Sequence, residues 1–276
     1  MISSDEGLTA SAEGKHGFAT LFISDMHLGA RSCRDEALLS FLQAHQADKI
    51  YLVGDIFDTW HGFSANWTDS HHAIIQLLMA RAHSGVEIVY TPGNHDAFFR
   101  KFIGARLGNI TIADHVIHAS GDGRRYLVIH GDSIDILSGR FPLFSRLAAK
   151  TEHVFRGLAG IARRLLRRFD LPIAARVDKL VAWVNDLIRA RDNFQERLAT
   201  LAKRHGTDGI ICGHFHQPAL HDDFGVTYAN CGDWVENSSA LIETHSGQLV
   251  PVDWSMAREV PRGLPTTRKP AFAREL

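Results

Sequence analysis

The chain has no apolar run long enough to cross a bilayer, few cysteines and almost no net charge. Each shortage removes a class of protein. The three cysteines, Cys33, Cys212 and Cys231, are odd in number and lack Cys-x-x-Cys spacing, which argues against a disulfide framework or a structural zinc site. A reducing cytoplasm fits that usage. A formal net charge of -1 gives no whole-protein reason to expect nucleic acid as a partner. Residues 1–17 are rich in Ser, Glu and Gly and have no apolar core, so they read as a loose, disordered tail rather than a signal peptide or span. The 45% hydrophobic and 22% charged composition over 276 residues suits one large soluble α/β domain, with room for a smaller insertion.

What is present is a repeated pattern in which a short apolar run ends beside a glycine and a residue suited to metal ions. Val86 to Tyr90 leads into Thr91-Pro92-Gly93-Asn94-His95-Asp96, where Gly93 reads as a tight turn at positive φ. The same arrangement brings Ala19–Ile23 to Ser24-Asp25-Met26-His27, and Ile50–Val53 to Gly54-Asp55. It brings Tyr126–Ile129 to His130-Gly131-Asp132, and Gly209–Cys212 to Gly213-His214-Phe215-His216. Alternation along a strand lets Asp25 and His27 face the same way and hold one ion. One His-x-His or Gly-Asp pair arises often by chance; five ligand-bearing strand ends are a different observation.

Between these strands the periodicity predicts a helix from Asp35, with Ala37, Leu38, Phe41 and Leu42 at helical spacing, and a second between Asn66 and Ser84. His71 and His72 near the second start lack a partner carboxylate at metal spacing. β segments are expected at 110–118 and 124–129 around a Gly121-Asp122-Gly123 turn, and again at 226–230, 240–244 and 249–252. From about 138 to 205 the chain turns helical and basic. Phe155, Leu158, Ala159, Ala162, Leu165, Leu166 and Phe169 form one stripe opposite Arg156, Arg163, Arg164, Arg167 and Arg168. That stretch reads as a cap inserted in a domain spanning 18–257, and 258–276 reads as a second disordered tail.

Asp25, His27, Asp55, Asn94, His130, His214 and His216 form a mixed carboxylate, imidazole and amide set. Such a set suits manganese, iron or zinc better than calcium. Seven residues are too many for one ion and suit two divalent metal ions, with Asp55 the natural bridge because no other carboxylate or histidine adjoins it. Two ions would activate water and neutralise charge on a phosphoryl group. His95 would then face the substrate, with Asp96 holding its tautomer.

These motifs together resemble the complete set of the calcineurin-like metallophosphoesterases, over about residues 18–251. The resemblance implies a four-layer α/β/β/α sandwich. It also implies one ion on Asp25, His27, Asp55 and His216 and another on Asp55, Asn94, His130 and His214. Ser24 to Gly29, Gly54-Asp55-Ile56-Phe57-Asp58-x-Trp60 and the helical insertion after His130 further resemble the UDP-2,3-diacylglucosamine pyrophosphatases. Membership there implies a bacterial cytoplasmic enzyme at the inner-membrane surface. It would release UMP from a lipidic nucleotide sugar in lipid A synthesis, usually with Mn2+. One departure stands: those pyrophosphatases carry arginine after the motif asparagine, where this chain has His95. Asn230-x-Gly232-Asp233-Trp234-Val235-Glu236 is similar to a related branch. Apolar cap stripes could take acyl chains and the arginines anionic headgroups, or the stripes could pack on the sandwich. A general phosphodiesterase or nuclease is the alternative enzyme, although no aromatic stacking residues interleave the arginines. A non-catalytic scaffold is the third reading.

Overall fold

The computed structural model describes residues 9–10, 16–60, 66–137 and 194–255. The expected tails lie largely outside these residues, as do 138–193 of the expected cap. Two sheets carry the fold. The eight-stranded sheet is ordered β13-β12-β2-β3-β4-β6-β5, with a two-residue strand β1 (Thr9–Ala10) also paired to β2. Its members are β2 (His16–Ile23), β3 (His45–Val53), β4 (Glu87–Thr91), β5 (Arg106–Leu107), β6 (Ile110–Ile112), β12 (Ser239–Glu243) and β13 (Leu249–Asp253). The five-stranded sheet runs β10 (Ala219–His221), β11 (Thr227–Asn230), β9 (Gly209–Cys212), β8 (Arg125–Val128), β7 (Val116–Ala119).

Period-two alternation builds three apolar layers from these strands. In β3, Ile50 and Leu52 join the cluster under α1 (Asp35–Ala44) and α2 (Asp69–His83), while Tyr51 and Val53 join the cluster between the sheets. In β8, Tyr126 and Val128 meet that same middle layer from the other side, and Leu127 faces a helix described over 194–204. The layers are therefore helix, sheet, sheet, helix, as the resemblance implied. β2-α1-β3 and β3-α2-β4 are parallel crossovers, and α1 and α2 pack together on one face of the sheet.

Local chemistry sets the helix ends. Asp35 and Glu36 in the first turn of α1 oppose the positive helix terminus, and Leu38, Phe41 and Leu42 are its buried stripe. α2 opens with a capping box: the Thr68 hydroxyl accepts from the His71 backbone N–H, and His71 Nδ1 accepts from the Thr68 N–H. His71 is thus a capping residue, not a metal ligand. The stretch expected as one β segment over 110–118 is two strands, β6 and β7, in different sheets, because the chain crosses between sheets at 113–115.

Candidate metal centre

β2, β3 and β4 are mutually parallel, and so are β8 and β9. All five ligand-bearing loops therefore leave from strand carboxyl ends, where open α/β sheets bind ligands. Backbone bonds knit these loops into one rim: Asp25 N–H donates to Gly54 O at 3.0 Å, His27 N–H to Asp55 O at 2.9 Å, and Gly213 N–H to His130 O at 3.1 Å.

Six of the expected ligands, with His95, fall into three groups, each with donor atoms within 4.8 Å of one another: Asp25, His27 and His216; His27, Asp55 and His95; Asp55, His130 and His214. Asp55 and His27 each belong to two. His216 Nε2 lies 3.2 Å from Asp25 Oδ1, and His130 Nε2 3.3 Å from Asp55 Oδ2. His27 Nε2 is 3.8 Å from Asp25 Oδ1 and 4.0 Å from Asp55 Oδ2.

Three features single this cluster out from ordinary buried polar groups. First, Asp25, His27, Asp55, His214 and His216 all have φ between 48° and 71°, a left-handed conformation that costs non-glycine residues free energy and gathers at functional sites. Second, Asn94 Oδ1 is buried without a hydrogen-bond partner, although such atoms are nearly always satisfied, and the buried Asp25 Oδ1 and His130 Nε2 meet only other ligand side chains. Third, His130 Nδ1 is 2.9 Å from Val53 O. That bond places a proton on Nδ1 and turns Nε2 toward Asp55.

The neighbouring glycines answer to close approach. A Cβ at Gly93 would lie 2.2 Å from Asp55 Oδ1 and 2.6 Å from His130 Cδ2; one at Gly213, 2.5 Å from Asp25 Oδ2. Gly93 is absent from the residues at positive φ, so the expected turn is corrected: the residue is glycine because a ligand occupies the space a side chain would need. Gly54 has both reasons, a φ of 77° and a Cβ position 2.2 Å from the His130 ring.

The field within the cluster attracts positive charge. Burial works against ionising Asp25, yet His216 beside it holds the carboxyl below its usual range. Asp55 is likewise lowered, with His130 outweighing burial. Burial opposes charge on His216, but Asp25 raises it to about 9, and Asp55 raises His130 in the same way. His27 goes down to about 4, since burial and His95 outweigh the pull of Asp55 and Asp25.

His95 stands at the edge of this group. Its backbone N–H donates to Asp55 Oδ1 at 2.7 Å, its ring packs edge-on against His27 at 4.5 Å, and Trp60 stacks on it at 3.7 Å between centroids. Sequence reasoning assigned Asp96 to hold its tautomer, and the structure corrects that. Asp96 Oδ1 accepts from Gly93 N–H at 2.6 Å, and Oδ2 from Ile56 N–H at 2.7 Å and Phe57 N–H at 3.3 Å, so both oxygens brace backbone. Asp58 Oδ1, 3.2 Å from His95 Nδ1, is the partner instead. Its signal was in the chain, three residues past Asp55. Arg100, also missed, grips both Asp132 oxygens at 2.7 and 2.8 Å and Pro92 O at 3.2 Å, tying the β8 loop to the β4 loop.

Sheets packed face to face, with a cation-seeking cluster at their strand ends, define the class to which the comparisons then give a family. The sequence model of calcineurin-like phosphoesterases matches residues 18–218, and the chain belongs to that family of hydrolases. A UDP-2,3-diacylglucosamine hydrolase of Aeromonas salmonicida is 30% identical over 231 residues, covering 81% of this chain and 89% of that protein. One from Escherichia coli is 29% identical over 207 residues, covering 74% and 84%. Among solved structures, an archaeal phosphodiesterase aligns over 85% of this chain and 98% of its own at 12% identity and TM-score 0.41, too loose a superposition to carry an argument. The family implies divalent metals, and the unpartnered Asn94 oxygen, the imidazole Nε2 atoms turned into the cluster and the mixed donor set fit them. No helix among the described residues is long and apolar enough to cross a membrane.

Proposed function

We propose that the protein is a two-metal phosphoesterase that hydrolyses the pyrophosphate of a UDP-diacylglucosamine-like lipid A precursor, releasing UMP. The reaction class rests on one observation, Asp55 as shared member of adjacent ligand groups; the substrate rests on the relatives' names. Asp25, His27, Asp55 and His216 would hold one ion and Asp55, Asn94, His130 and His214 the other, most fittingly Mn2+, with Fe or Zn as alternatives. When bound, such ions supply Lewis-acid charge and lower the pKa of water. The chain does the rest. The strained loops fix donor positions in advance, so little reorganisation is left for the reaction itself. Asp58 accepts from His95 Nδ1, which turns Nε2 toward where the substrate's phosphoryl oxygens would lie. Trp60, stacked on His95 and donating from Nε1 to Asn94 O at 3.1 Å, holds that ring against rotation. With both ring nitrogens carrying a proton, Nε2 would donate to a phosphoryl oxygen as an arginine would, so His95 is compatible with the relatives' substrate.

The protein would work in the cytoplasm at the inner-membrane surface, with the basic residues of the 138–193 stretch meeting anionic headgroups. The nuclease alternative drew on those arginines too, and no described residue favours it. The test is UMP release from UDP-2,3-diacylglucosamine with added Mn2+, with Asp55→Ala as blank. Release lost in Asp55→Ala supports the reading. No release, alongside Mn2+-dependent cleavage of an aryl phosphodiester, overturns the substrate.

A further inference from the structure

Six non-glycine residues among those described hold φ between 48° and 71°. Five are expected ligands; the sixth is Ser238, in a loop that none of the chemistry above uses. That loop, Gly232 to Ser238, touches the centre at two points. Trp234 N–H donates to Asp25 O at 3.1 Å, and Asn237 Nδ2 donates to His216 O at 2.5 Å. Both contacts reach the same ligand group, the one formed by Asp25, His27 and His216. Neither reaches Asp55, His130 or His214.

The loop is held from inside by one fully buried carboxylate. Asp233 Oδ1 accepts from Val235 N–H at 2.6 Å, from Glu236 N–H, and from Asn237 N–H at 3.3 Å. Its Oδ2 accepts from Asn237 Nδ2 at 2.6 Å. The Asn237 amide thus spends both hydrogens, one on the carboxylate and one on the His216 carbonyl. From outside, Arg34 Nη1 donates to Ser238 Oγ at 3.1 Å, and Trp254 N–H to Ser238 O at 2.8 Å. Strained residues persist only where surrounding contacts over-determine them; beside its side-chain contacts to Asp25 and His27, the His216 backbone is held by Asn237, which Asp233 in turn fixes.

We propose that Asp233 and Asn237 are positioning residues that hold His216 and Asp25 in ligating geometry, and so set the occupancy of one cation position independently of the other. Hydrogen bonds behind a metal ligand commonly carry about 10–100-fold in metal affinity. The inference rests on the two-ion reading. A loop that only finished the sheet edge would affect both positions alike or neither.

The test is Mn2+ uptake by the metal-stripped full chain, following free Mn2+ by electron paramagnetic resonance, with thermal unfolding as a check on the fold. Wild type takes up two ions. Asn237→Ala, which removes both bonds, keeps one ion at wild-type affinity and weakens the other about 10–100-fold. Asn237→Ser, whose hydroxyl can donate only one bond, falls between them and decides the matter should the alanine variant not fold. Asn109→Ala, which removes a comparable bond from Nδ2 to Ala82 O at 3.1 Å far from the loop, leaves both ions unchanged. Equal weakening of both positions, or none, in Asn237→Ala and Asn237→Ser overturns the inference. Failure of wild type to bind two ions overturns the two-ion reading itself.

Discussion

Two buried carboxylate–imidazole clusters among the described residues are built on opposite plans. In one, Glu243 Oε1 accepts from Ser120 Oγ at 2.7 Å and Gly121 N–H at 2.8 Å, Oε2 meets His118 Nε2 at 2.6 Å, and His118 Nδ1 meets Tyr51 OH at 3.2 Å. Each of these ring nitrogens and carboxylate oxygens has a partner, and none of these residues has positive φ. In the other, Asn94 Oδ1 has no hydrogen-bond partner, Asp25 Oδ1 and His130 Nε2 meet only other ligand side chains, and five ligands sit in left-handed backbone. Residue types alone do not separate a structural cluster from a functional one. Satisfaction and strain do, because a polar group that finds its partners within the fold has nothing left to offer a ligand.

The comparison breaks most visibly under deletion of its central members. Asp55→Ala should reduce hydrolysis on the order of 10³-fold or more, as rates per folded molecule, with melting curves on the same preparation, would show. Glu243→Ala should act on stability alone. Leaving His118 and Ser120 buried without their acceptor should cost about 3–5 kcal/mol in urea unfolding, with unchanged activity per folded molecule.

Acid sharpens the contrast. Burial alone would raise the Glu243 carboxyl, but His118, Gly121 and Ser120 bring it down from 4.5 to about 2. A folded pKa below the unfolded one means that the cluster's contribution, about 3 kcal/mol, is complete above pH 4.5. It is lost as pH falls toward 2. Unfolding free energies measured between pH 5 and 2.5 should converge for wild type and Glu243→Gln as the pH drops; parallel curves would contradict the assignment. Gly93→Ala, by crowding Asp55 and His130, should weaken Mn2+ binding about 10–100-fold. Smallest is Thr68→Ala, which removes the cap of α2 for about 1 kcal/mol and leaves ion uptake untouched.

Much of this centre is legible in the chain because its ligands are fixed by strand ends, and strand ends follow from local apolar runs broken by glycine. Asp25, His27, Asp55, His130, His214 and His216 come together as the spacing implies. Three-dimensional partnership is harder to read. Asp96 neighbours His95 in sequence, yet the turn points its oxygens at backbone N–H groups, and Asp58 arrives from another loop. Gly93 illustrates a second limit, since a glycine required by a distant side chain looks identical to one required by its own φ. The Asp233–Asn237 brace was opaque for the same reason: its contacts cross from residue 237 to 216 and from 234 to 25, and no local pattern announces them. Strands as short as Arg106–Leu107 and Ala219–His221 exist by pairing with neighbours and leave little periodicity to detect.

The most direct test of a two-cation centre organised on Asp55 is anomalous scattering from crystals grown with Mn2+. The account predicts two peaks flanking the Asp55 carboxylate, one beside Asp25, His27 and His216 and one beside Asn94, His130 and His214. No peak against Asp55, or a single ion that leaves His130 Nε2 without a partner, would contradict it.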